Sequence, residues 1–253
     1  MTVIPFRRTG DAVHSLPVPS GRWHCGIWVS DRPLEDAEAY RACVAAFGRS
    51  GLWPVLIPAD GRFARPGDDW IDDRGRLAPA GGEVAAIDPA ATLAAWWPGQ
   101  CCEGNCLWPF GAEFPGLALR SAWRRDELTE AADMGALFVG LGGYRLGLVA
   151  AARPADVPAL LGWAGTLRFT AEVAAVSAVL RSWEDRFGAL LVVLGYDELR
   201  LAVAAPPATL RHALAAAAEH RAFCPRSFAA QPADLRGFAG ELIGNPVWSF
   251  RWD

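Results

Sequence analysis

The stretch ALLVVLGYDELRLAVA, residues 189–204, decides the fold class. Two apolar runs, Ala189–Leu194 and Leu199–Ala204, flank the turn-forming Gly195-Tyr196-Asp197-Glu198. That pattern predicts a β-hairpin. On its N-terminal side, Val173, Val176, Leu180, Trp183 and Phe187 recur at helical spacing and form one apolar face. Thr170 is placed to cap that helix, and Gly188 to stop it. On the C-terminal side, Pro206-Pro207 opens a second helix through Leu210, Leu214 and Ala217. Further out, Leu146, Leu148 and Ala150 alternate with Gly147, Val149 and Ala151, and Trp248, Phe250 and Trp252 share one face of a final alternating run. A further helix, Pro232–Ile243, ends at Gly244. With that helix set aside, the order is strand, helix, strand, strand, helix, strand, the βαββαβ pattern of ferredoxin-like folds. The expectation is an α+β protein. Its C-terminal part carries a four-stranded antiparallel sheet with the helices beginning near Thr170 and Pro207 on one face.

Upstream, a smaller α/β part is expected. Trp23, Cys25, Ile27 and Val29 alternate with His24, Gly26 and Trp28, which predicts one strand. Ser30 and Asp31 are candidate helix caps. Ala37, Tyr40, Val44 and Phe47 mark one helical face, Gly48 and Gly51 end it, and Leu52–Ile57 follows as a strand. Residues 59–83 are rich in Gly, Pro, Asp and Arg and read as a long loop. Asp88-Pro89 starts a short helix bearing Leu93, Trp96 and Trp97. A weakly periodic helix is expected over Arg124–Met134. The resulting division is an irregular arm (1–21), an N-terminal α+β region (22–110), a connecting region (111–145) and a C-terminal domain (146–253).

Composition narrows the setting. Hydrophobic residues make up 52% of the 253 positions, ample for a packed core, and the formal net charge is −4. An acidic chain without a basic stripe is not expected to bind nucleic acid. All 24 Lys-plus-Arg positions are Arg. With abundant Ala, Gly and Pro, this reads as the codon bias of a GC-rich bacterial genome. Met1–Gly10 lacks the apolar stretch of a signal peptide, and no segment nears the roughly 18 apolar residues of a membrane span. The expected location is therefore cytoplasmic, away from membranes, with all six Cys reduced.

The segments PADVPALLGW (154–163), LRSWEDRFGA (180–189), AAPP (204–207), AEHRAFCP (218–225) and PVWSFRWD (246–253) together resemble the domain of unknown function 4253 family. The resemblance covers residues 146–253. GLWP (51–54) and Ala95-Trp96-Trp97 are similar to an N-terminal extension of actinobacterial members. The resemblance implies no activity. The chain also departs from the family pattern: an Asn usual after Trp163 is absent from Ala164–Phe169, and Arg226 stands where an Asp is usual.

The residues singled out for binding are Trp163, Trp183, Glu184, Glu219 and Cys224. Trp183, Glu184 and Arg186 suit a pocket with an aromatic wall and a carboxylate, or else a core Trp beside a solvated charged face. His220 and Cys224 at i, i+4 suit a thiolate–imidazolium pair, or else packing at a helix end. Cys101, Cys102 and Cys106 do not have the spacing of a zinc site, so no metal is expected. The acidic residues Asp68, Asp69, Asp72 and Asp73 suit Mg²⁺ or simply a solvated loop. Gly140–Gly143 lacks dinucleotide-binding spacing, and no cofactor is expected. A non-catalytic module that binds a protein or small-molecule partner is the leading expectation, given many Trp and Arg and no convincing catalytic set. The alternative is an enzyme using Glu184, Glu219 or Cys224 in a cleft between the two parts.

Overall fold

The computed structural model describes residues 2–6, 14–59, 76–99, 106–122, 125–225 and 234–252. The chain is mixed α/β. Its strands are β1 (Thr2–Phe6), β2 (His14–Val18), β3 (Gly21–His24), β4 (Ile27–Ser30), β5 (Leu52–Pro58), β6 (Tyr144–Ala150), β7 (Ala189–Leu194), β8 (Glu198–Val203) and β9 (Val247–Arg251). Its α-helices are α1 (Glu38–Ser50), α2 (Pro89–Trp96), α3 (Glu127–Leu141), α4 (Val157–Leu161), α5 (Val173–Phe187), α6 (Leu210–Phe223) and α7 (Leu235–Leu242). β1 and β2 pair with each other, and the remaining seven strands form one mixed sheet in the order β3-β4-β6-β5-β7-β8-β9.

This order replaces the expected four-stranded βαββαβ sheet. β7 and β8 form the expected antiparallel hairpin, but β9 pairs with β8 and β5 lies between β6 and β7. The reason lies in β5 itself. All seven of its residues, LWPVLIP, are buried. A strand apolar on both faces belongs inside a sheet covered on both sides. β5 runs antiparallel to β6 over its whole length but meets β7 in parallel at one register position, Leu56 opposite Val193. Pro54 has no N–H for a ladder bond. The Trp53 indole Nε1–H donates instead to the Leu191 carbonyl at 2.7 Å, beside the register shift between Leu191 and Val193.

Helices cover both faces. Leu199 and Leu201 of β8 stand opposite Phe250 and Trp248 of β9, and this face receives α5 and α6. Trp183 of α5 stacks on Phe250 at 5.1 Å and meets Trp248 edge-on at 5.6 Å. Phe223 of α6 meets Phe250 edge-on at 5.0 Å. The two helices thus share a face, as their periodicity predicts. Arg200, one residue out of phase, points to the other face, where its guanidinium lies over Phe138 of α3. Phe47 of α1 packs there on Trp53.

Three elements differ from the sequence expectation. The single strand expected over Trp23–Val29 is a hairpin, β3–β4, because Cys25 and Gly26 both take positive φ, the requirement of a two-residue turn. The arm over 1–21 contains the β1–β2 pair; its prolines read as breakers, yet such strands tolerate them away from a sheet interior. The weak helix expected over Arg124–Met134 is α3, which runs on through Gly135. A Cβ there would come within 1.9 Å of the Tyr40 ring; the glycine is the space into which α1 packs.

Candidate functional site

The apolar face of α5 builds the core and carries a polar anchor. Glu219 of α6 is fully buried. Its carboxylate accepts hydrogen bonds from Trp183 Nε1 (2.8 Å), Arg186 Nη1 (2.8 Å), Arg186 Nη2 (2.6 Å) and the Ala118 amide (2.6 Å). A carboxylate removed from water needs such compensation. Arg186 is fixed in turn by donating to the Ala118 carbonyl and to Ser182 Oγ. Trp183, Arg186 and Glu219 therefore tie α5, α6 and the segment before α3 into one knot.

His220 sits beside this knot among the rings of Trp183, Trp248 and Phe250, at 5.0, 4.5 and 4.8 Å. Burial lowers its pKa from 6.5 to about 3, so the ring is neutral. Its Nε2 and the neighbouring Trp248 Nε1 have no partner among the described residues. The Cys224 thiol donates to the Arg251 carbonyl at 3.1 Å. Trp163 is buried at the far end of the sheet face; its Nε1 donates to the Gly195 carbonyl at 2.8 Å. Trp183 and Glu219 are thus brought together, Cys224 is tied to β9, and Trp163 joins the same aromatic cluster through Trp252, which packs on Phe223.

Glu184 faces the other way. Its carboxylate accepts from Arg153 Nε (3.0 Å) and the Ala155 amide (3.1 Å). Burial raises its pKa, against the pull of Arg153. Arg153 also donates through Nη2 to Asp185 (2.6 Å) and to the Arg181 carbonyl (3.4 Å). Arg181 binds Asp156 through two donors, Nε at 2.5 Å and Nη2 at 2.8 Å. That bonding raises the Arg181 pKa, opposed by burial and by the nearby charge of Arg153.

Arg153, Arg181 and Asp185 border a cleft of about 290 Å³. Arg181, Ser182, Asp185 and Arg186 line it from one face of α5, Arg153 from the loop after β6, and Val84 and Ala85 of the 3-10 turn Val84–Ala86 complete the wall. Among the described residues, Nη1 of Arg153 and Nη1 of Arg181 make no hydrogen bond. Asp185 also borders a second cleft, of about 300 Å³, together with Arg120 and Glu184. Sequence reading missed Arg153, Arg181, Asp156 and Asp185. The spacing of Arg181 and Asp185 on the polar side of α5 was a usable clue, masked by the reading of every Arg as codon bias.

Of the other candidates, Asp68, Asp69, Asp72, Asp73, Cys101 and Cys102 lie outside the described residues. Cys106 is disulfide-bonded, against the expectation of six reduced thiols. Trp23 of β3, and Trp108 and Tyr196 outside any helix or strand, are exposed. No helix among the described residues is long and apolar enough to cross a membrane.

Residues 145–253 match the family model described as Domain of unknown function (DUF4253). The match supports this family for that part of the chain. Neither the curated proteins nor the solved structures contain a match to the chain. Every cleft arginine lies in the segment that matches DUF4253, whereas the turn Val84–Ala86 and the Ala118 amide precede it. β5, which lies between β6 and β7 of the matched segment, also precedes it.

Proposed function

We propose that this protein is a non-catalytic binding module, that its ligand site is the cleft beside α5, and that the ligand is a small anion. The observation that carries the reading is the wall of that cleft: Arg153, Arg181 and Arg186 against one carboxylate, Asp185. Planar guanidinium forks suit carboxylate and phosphate oxygens, and the buried carboxylates behind them set their orientation. At about 290 Å³ the cleft is at the lower end of small-molecule sites.

Of the residues singled out in the sequence, we assign Glu184 to holding Arg153 in place. We assign Trp163, Trp183, Glu219 and Cys224 to the framework. The lone pairs of Glu219 are engaged by four N–H donors and the Cys224 thiol by a carbonyl, which favours the framework role over catalysis. The all-arginine, Ala-rich composition supports a bacterial source.

Calorimetric titration with inorganic phosphate and with succinate tests the reading. Saturable one-to-one binding is expected, weakened in Arg181→Lys, which keeps the charge and loses the fork. Failure of the parent protein to bind any small mono- or dianion saturably would remove the proposal.

A further inference from the structure

We infer that Asp185 is an internal stand-in for the ligand: its carboxylate holds the oxyanion position on Arg153, and a carboxylate or phosphate group binds by displacing it. The inference rests on the cleft being the ligand site and names how that site is controlled.

Four carboxylates touch the three cleft arginines, and they are not equivalent. Asp156, Glu184 and Glu219 have side chains 7%, 16% and 0% exposed, whereas that of Asp185 is 56% exposed. The first three are locked behind the guanidiniums. Asp185 reaches Arg153 from the front, through Nη2 at 2.6 Å, and lines the cleft. An exposed carboxylate recovers its hydration when it turns away, so its departure costs little. Arg153 does not collapse when Asp185 leaves, because Glu184 keeps Nε and the Arg181 carbonyl keeps Nη2.

Charge makes the two occupants exclusive. Arg153, Arg181 and Arg186 with Asp156, Glu184, Asp185 and Glu219 carry a formal sum of −1. An anion added beside Asp185 would deepen that excess at short range, where like charges repel strongly. A monoanion in place of Asp185 leaves the sum at −1 instead of deepening it to −2. It also reaches Nη1 of Arg153 and Nη1 of Arg181, donors that Asp185 leaves unused. Asp185 has somewhere to turn: it borders the second cleft as well, whose wall carries Arg120 together with Glu127 and Glu184.

The experiment is titration of the full chain with inorganic phosphate and, separately, with succinate at fixed ionic strength, for the parent, Asp185→Ala and Asp185→Asn. Asp185→Ala is expected to bind on the order of tenfold more tightly, the scale of one charge-assisted hydrogen bond. Asp185→Asn, which loses the charge and keeps the shape, is expected to gain as well. Whichever probe gains more identifies the oxyanion class. Asp185→Ala binding no more tightly than a parent that does bind would overturn the stand-in and leave the cleft reading in place. Failure of parent and variants alike to bind either probe would overturn both. Circular dichroism of the variants checks that the exposed change leaves the fold intact.

Discussion

At the scale of single residues, the buried knot of Trp183, Arg186 and Glu219 is the part whose loss the protein should feel most. Trp183→Ala opens a cavity and costs about 3–5 kcal/mol. Glu219→Ala leaves the Arg186 charge with no carboxylate in a buried site and costs a similar amount, about 3–5 kcal/mol. Because the two side chains share a hydrogen bond, the double variant should be less destabilised than the sum of the single ones; urea denaturation of all four proteins measures this. Glu184→Gln belongs in the same series. Read from sequence as a solvated group, Glu184 would change little, but it binds Arg153 and the Ala155 amide, so a loss of about 1–2 kcal/mol is expected. His220 adds a pH dependence. Its pKa is near 6.5 unfolded and about 3 folded. Above pH 6.5 both states hold a neutral ring. As pH falls below 6.5 the unfolded state takes a proton that the folded state refuses, and stability drops by up to about 1.4 kcal/mol per pH unit until the folded pKa is reached. Glu184, whose folded pKa is raised, works in the opposite sense: its contribution is present at low pH and lost as pH rises through its folded pKa. The parent should therefore lose more stability between pH 7 and pH 5 than His220→Phe, and equal losses would contradict the assignment of His220. Trp183 was legible as core because its spacing with Leu180 and Phe187 is a one-dimensional signal. Its partner Glu219 was not, because burial of a charge depends on an arginine 33 positions away.

At the scale of elements, the β5–β7 contact is the least regular join in the sheet. One parallel register position and one indole hydrogen bond hold it. Trp53→Phe retains the ring against Phe47 and removes the N–H to the Leu191 carbonyl, leaving a buried acceptor unpaired at a cost of about 1–3 kcal/mol. Thermal denaturation beside the parent gives the number, and an unchanged midpoint would assign the join to packing alone. The strands, α1 and α5 were readable because alternation and helical period are local. The β3–β4 hairpin escaped because a residue other than glycine, Cys25, takes positive φ. The length of α3 escaped because the role of Gly135 is visible only once Tyr40 is packed against it.

At the scale of the molecule, strands from before and within the segment that matches DUF4253 share one sheet, so heat or denaturant should unfold them in a single transition. A fragment of residues 145–253 alone would leave β6 and β7 without the strand that lies between them. Exposed edges of that kind invite association, so the fragment is expected to aggregate; a monomeric fragment with the full strand content would show that the matched segment closes without β5. Sequence reading recovered β5 to β9 of this sheet but not their order, because a fully apolar strand declares that it is interior without naming its neighbours. The same strand has a consequence during synthesis. Leu56 is made long before Val193, and at ribosomal speed the wait is on the order of ten seconds. β6 can pair with one edge of Leu52–Pro58 earlier, but through that interval the edge that meets β7 has no partner. Pro54 and Pro58 then act as gatekeepers: each removes an N–H that a neighbouring nascent chain would need to zip onto the segment. The prolines that the finished sheet tolerates inside β5 protect the chain before the join with β7 exists.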